Sequence, residues 1–171
     1  MTRRLRIVAA GAALAAPLAA GLGGCGFTPL YADNSVGAGL THVQVIAPQG
    51  RVGFLLRQDL DDRLGRDLGD KPAYKLELQV GGEGRSAHGL RADATAQRYE
   101  IDLTVGYILT DLATGKVARH GSVTSIASYD SADQPYAGIA ARQDTEDRLA
   151  ADAAQKIQIQ IAAWMASHAP S

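Results

Sequence analysis

The chain has 171 residues, with 17 Lys or Arg against 18 Asp or Glu and a formal charge of −1. So balanced a composition, with no concentrated basic stretch, argues against a nucleic-acid binder. A single cysteine excludes an intrachain disulfide, and the length suits one domain with a sizeable core.

At the N-terminus, Arg3, Arg4 and Arg6 precede an uncharged stretch from Ile7 to Leu22. This is the charged region and apolar core of an export signal. Its 16 residues fall short of the roughly 20 that a membrane-spanning helix needs, which weighs against an uncleaved anchor. Leu22-Gly23-Gly24-Cys25 follows: a leucine, two small residues and the only cysteine. Signal peptidases accept small side chains ahead of the scissile bond, and the lipoprotein pathway needs a thiol at the new N-terminus. Residues 1–24 are therefore expected to be a lipoprotein signal peptide, with Leu22, Gly23 and Gly24 as recognition residues and Cys25 as the lipidated residue. Several acyl chains on one cysteine hold a protein to a bilayer stably. Removing the signal takes away three arginines and no acid, leaving 147 residues with a charge of −4. Gly26, in place of aspartate, follows the cysteine and favours the outer membrane over the inner. No cofactor is expected beyond the covalent acyl and diacylglycerol anchor on Cys25.

Residues 25–40 are rich in Gly, Ala and Ser and read as a lipidated N-terminus and tether, with a single domain over 41–171. A first strand is expected from Thr41 to Ala47, stopped by Pro48 and Gly50. Val52, Leu55, Leu56, Leu60, Leu64 and Leu68 then recur at helical spacing, and Gly69 and Pro72 are expected to end that helix. Tyr74 to Val80 alternates strictly, as a strand buried on one face does; Gly81, Gly82 and Gly84 are expected to break it. The next alternating run places Tyr99, Ile101, Leu103, Val105, Tyr107 and Leu109 on one side, with Arg98, Glu100, Asp102 and Thr104 on the other. Asp111 to Gly115 supplies a hairpin turn, and Val117 to Tyr129 returns as a fourth strand. A long helix closes the chain over Tyr136 to His168, its apolar face marked by Leu149, Ala153, Ile157, Ile161, Trp164 and Met165. The order β-α-β-β-β-α predicts an α+β, two-layer sandwich: two helices packed on one face of a four-stranded mixed sheet. The other face carries Lys75, Glu77, Gln79, Arg98, Glu100, Asp102 and Thr104 and is solvated or laid against a polar partner.

Catalytic patterns are scarce. His42, His88, His120 and His168 lie far apart without paired ligand spacing, so no metal site is expected. There is no Gly-x-Ser-x-Gly elbow, and the 81–84 stretch lacks the Gly-Lys-Ser/Thr ending of a phosphate loop. Asp59, Asp61 and Asp62 read as the solvated side of the first helix. Arg85, Arg91, Arg98, Lys116 and Arg119 fall on the central strands and their loops, interleaved with Glu83, Asp93, Glu100, Asp102 and Asp111. Ordinary mixed-charge strand faces are one reading of this pattern. Contact with a phosphorylated, anionic lipid is the other.

Gly24-Cys25-Gly26-Phe27-Thr28-Pro29-Leu30-Tyr31 resembles the lipidation segment of the lipopolysaccharide-assembly lipoproteins, in particular their alphaproteobacterial branch. Ser128-Tyr129-Asp130 and Pro135-Tyr136-Ala137, leading into Gln143-Asp144 and Glu146-Asp147-Arg148, are similar to that branch too. The resemblance implies a non-catalytic plug inside a large outer-membrane β-barrel. Such a plug helps the barrel fold and reach its disulfide state, and assists delivery of lipopolysaccharide to the outer leaflet. It also implies direct contact with lipopolysaccharide through basic residues, for which charge alone nominates Arg91, Arg98 and Arg119. Two other readings compete: an auxiliary lipoprotein of a lipid-transporting ABC system, and a lipid-anchored hydrolase.

Overall fold

The computed structural model describes residues 39–66, 69–90, 96–131 and 134–168. Leu22, Gly23, Gly24, Cys25, Leu68 and Arg91 lie outside the described residues. The elements run β1 (Val43–Ile46), α1 (Arg51–Leu64), β2 (Tyr74–Leu90), β3 (Ala96–Asp111), β4 (Val117–Asp130) and α2 (Pro135–His168). The strands form one four-stranded sheet in the order β1-β2-β3-β4, with β1 parallel to β2 and the other pairs antiparallel. This is the expected mixed sheet with helices on one face.

The core follows the sequence periodicities. Leu56, Leu60 and Leu64 stack at every fourth position of α1 and are buried. Val43 and Val45 of β1, Leu76 and Leu78 of β2, and Ile101, Leu103, Val105, Tyr107 and Leu109 of β3 are buried in the same core. Leu149, Ala153, Ile157, Ile161 and Met165 of α2 complete it. Ala150, Ala154 and Ala162 are also buried; their small side chains let α2 approach its neighbours closely. Leu40, at the boundary drawn between tether and domain, is 3% exposed and belongs to this core.

Three local expectations are corrected. First, α1 stops at Leu64, before Gly69: Gly65 takes a left-handed conformation (φ 62°, ψ 38°), and its N–H returns to the Asp62 carbonyl. That conformation suits glycine and closes the last turn. Second, the glycines at 81, 82 and 84 do not break β2. Pairing passes from Val80↔Val105 to Glu83↔Leu103, so a bulge absorbs one residue and the strand continues to Leu90. A bulge of this kind shifts the alternation by one, so odd positions turn to the helix-facing side. Arg85 and Ala87 thus stand opposite Ile101 and Tyr99. Third, the acidic cluster is not wholly solvated. Only Asp62 is exposed; Asp59 and Asp61 are half-buried. Burial raises the Asp59 carboxyl pKa, opposed by Arg63 and reinforced by Asp62 and by Asp147 of α2. Asp61 keeps one oxygen buried without a hydrogen-bond partner, its other oxygen lying 3.5 Å from Arg57.

The helices are tied by polar contacts at their rims. Glu146, nearly buried, lies 2.9 Å from Nε of Arg142 and 3.3 Å from Nε of Arg51. Arg51 also reaches Asp147 at 2.6 Å, and Gln158 donates to the Arg63 carbonyl at 2.9 Å. With 34 residues, α2 is about 51 Å long at 1.5 Å per residue. The 16 residues of β3 span about 53 Å at 3.3 Å per residue. The first buried residue of α2 is Thr145. Its opening turns therefore overhang the distal end of the sheet, and it is there that the surface becomes distinctive.

Candidate docking surface

Alternation along the paired strands builds two unlike faces. Opposite the helices, β2 presents Lys75 and Glu77 as an ion pair at 3.2 Å. On β3 and β4 the same face carries Thr104 and Thr124, whose hydroxyls meet at 3.1 Å. Asp102 and Ile126 stand opposite each other there, and Ile126 is 63% exposed. It is a mixed face on which Ile126, and Ile46 and Ile108 on either side of Glu77, stand among polar side chains.

The two basic candidates that can be placed do not converge. Arg98 lies on this outer face, held 2.9 Å from Asp130, its direct cross-strand neighbour. Arg119 pairs with Leu109 on the helix-facing side and donates from Nε to the Tyr107 hydroxyl at 3.1 Å. The intervening stretch of β3, from Arg98 to Leu109, corresponds to about 36 Å of strand. Arg98 and Arg119 thus sit on opposite faces near opposite ends of the sheet.

The bulge gathers a different set. Arg85, turned inward by the register shift, lies flat over Tyr99, with its guanidinium carbon 3.8 Å from the ring centroid. Tyr99 and Tyr129 are direct cross-strand neighbours with ring centroids 5.4 Å apart. The overhanging start of α2 supplies the opposite wall through Pro135, Gly138, Ile139 and Arg142. Together with Ser131 they enclose an open cleft of about 290 Å³. No aspartate or glutamate is among the described residues that line it. Arg142 engages Glu146 from outside the lining, whereas Arg85 has no carboxylate partner among the described residues. Sequence reading nominated Arg85 as one of several basic residues but missed Tyr99, Tyr129 and Arg142 as its companions. The glycine run at 81–84 was the available signal, since an odd insertion within a strand reverses the alternation beyond it.

Among the described residues no cluster of His, Cys, Asp or Glu could hold a metal ion. His42 and His88 lie 3.4 Å and 3.9 Å from Asp70 and Glu100 on the surface. No helix of the described residues is long and apolar enough to cross a membrane.

These features define a two-layer α+β domain whose described surface offers recognition chemistry in the form of cationic and aromatic groups. The sequence matches the family LptE, lipopolysaccharide-assembly, over residues 40–161, which takes in every strand and most of α2. The chain belongs to this lipopolysaccharide-assembly family. Its fold is similar to that of a candidate lipoprotein from Caulobacter crescentus CB15, at 44% identity and a TM-score of 0.68, covering 80% of this chain and 98% of that one. This neighbour supports the alphaproteobacterial branch. Rare lipoprotein B of Shewanella oneidensis shares the fold at 18% identity and a TM-score of 0.51, covering 73% of this chain and 95% of that one. Lipoprotein B of Nitrosomonas europaea does so at 18% identity and 0.51, covering 72% and 83%. No curated protein matches the sequence.

Proposed function

We propose that this chain is an outer-membrane lipoprotein that plugs and helps assemble the β-barrel lipopolysaccharide translocon, aiding lipopolysaccharide insertion into the outer leaflet. The observation that carries the reading is the family match over residues 40–161. The leader is consistent with it: residues 1–24 would be removed after recognition of Leu22, Gly23 and Gly24, and Cys25 would carry acyl chains, palmitate among them. The anchor would hold the domain at the periplasmic side of the membrane while residues 26–38 reach toward the barrel lumen. A polar sheet face suits such a lumen, whose walls are themselves polar.

In this reading the role is non-catalytic: the protein acts by binding. Direct contact with lipopolysaccharide through Arg91, Arg98 and Arg119 would be made at separate points, since Arg98 and Arg119 occupy different faces. The test is depletion in the native cell. Lipopolysaccharide should fall at the cell surface and accumulate behind the outer membrane, and re-expression should reverse both. Surface lipopolysaccharide unchanged after depletion would overturn the reading.

A further inference from the structure

We infer that the cleft between the β2 bulge and the start of α2 is a docking point for an acidic segment of a partner polypeptide, with a carboxylate seated on Arg85. The inference deepens the assembly reading and rests on it for the existence of a protein partner.

Donors dominate the cleft. Arg85 is exposed and, among the described residues, its guanidinium makes no hydrogen bond or ion pair and sits over the Tyr99 ring. The hydroxyls of Tyr99 and Tyr129 make no hydrogen bond to a described residue, so both can donate. Arg142 stands at the far wall, its charge shared with Glu146 at 2.9 Å. With no carboxylate among the described lining residues, the chemistry selects an oxyanion, and a planar guanidinium favours a carboxylate or phosphate presented edge-on.

Size and rim narrow the choice. A space of about 290 Å³ holds a side chain or a short stretch of peptide, too little for a body bearing several acyl chains. Tyr136 and Ile139, one turn apart at the start of α2, are 87% and 56% exposed beside the cleft. Tyrosine and arginine around a preformed pocket, with apolar anchors at its edge and no lysine in the lining, match the composition of energetically dominant protein contacts. The site is built in advance, because Arg85 sits over one ring and that ring packs at a tilt against the next.

The test is site-specific photo-crosslinking in the native cell, using the full-length protein with benzoylphenylalanine at Tyr136 and, as a control, at Leu112 on the opposite end of the sheet. We expect a protein adduct from position 136 and none from 112, the captured peptide bearing Asp or Glu. Arg85→Glu should lower its yield at least about tenfold, and Arg85→Lys should retain much of it. Tyr99→Phe, which keeps the ring, should lower it severalfold. Reversing the mapped acid to arginine should restore capture by Arg85→Glu. Arg85 is exposed, so unfolding is not expected, and an unchanged melting midpoint of the variant verifies this. A lipopolysaccharide or phospholipid adduct, no adduct, or a protein adduct indifferent to Arg85→Glu would each overturn the inference. Recovery of the barrel by pull-down of the wild-type protein, scored in the same cells, separates failure of this contact from failure of the assembly reading.

Discussion

Gly121 stands directly opposite Tyr107 in the β3–β4 register, and the missing side chain leaves room for the phenol to lie across β4. Tyr107 is 1% exposed, donates to Oε1 of Gln160 at 2.6 Å and accepts from Nε of Arg119 at 3.1 Å. A Cβ at position 121 would meet the phenol oxygen at 2.7 Å and Cζ at 2.8 Å. The ring is held on both sides and cannot retreat cheaply. Gly121→Ala should therefore destabilise the domain by about 1–3 kcal/mol, the usual scale of overpacking. Urea denaturation checks this; an unchanged midpoint would mean the ring can shift.

A second glycine gives a prediction opposite to helix propensity. Gly53 sits within α1, where alanine is intrinsically favoured by about 1 kcal/mol. Here, however, a Cβ would collide with the Pro48 carbonyl oxygen, a backbone atom at the entry to the helix. Gly53→Ala should lower the melting temperature despite the better propensity. A rise would show that residues 48–50 can move aside.

Asp152 links α2 to β4 and gives the fold an acid-sensitive contact. Its carboxylate accepts from Lys156 at 2.6 Å and from the buried Ser125 hydroxyl at 2.6 Å. Those bonds, Lys156 foremost, hold its pKa below the usual aspartate value. A depressed folded-state pKa contributes stability above the unfolded value, about 3.9, and that contribution is lost as pH falls through the folded value. Asp152→Asn should be less stable than the wild type at neutral pH, with the gap closing in acid below about pH 3.9. Denaturation midpoints measured across that range decide it; a gap independent of pH would contradict the assignment. Because Asp152 is about half exposed, the effect should be modest.

The proposed anchor makes a prediction of another kind. Cys25→Ala should leave the thermal melt of the domain unchanged while abolishing incorporation of labelled palmitate. Normal labelling of the variant would place the lipid elsewhere.

How much of this was legible beforehand follows from which physics each feature obeys. The uninterrupted alternation from Tyr99 to Leu109 and the four-residue steps of Leu56, Leu60 and Leu64 report one-sided burial, so β3 and α1 could be read from spacing alone. Two features could not. Gly65 ends α1 through a backbone conformation that a glycine only permits, and Gly69 and Pro72 were equally plausible stops. The glycines at 81–84 signal a break when read locally, yet the partner strand β3 runs on beside them and keeps β2 extended. Because the parity of β2 changes there, the grouping of Arg85 with Tyr99 and Tyr129 depends on register; the glycine run marks where a shift can fall, and pairing with β3 sets its size. The charges on Arg98 and Arg119 were visible, but not that Asp130 and Tyr107 engage them.

The plug reading is tested most directly by affinity purification of the tagged full-length protein from solubilised outer membranes, with the bound proteins identified and quantified. One large β-barrel protein recovered in about equal amount is the expected result. Recovery of the protein alone, or together with an inner-membrane transporter, would contradict it.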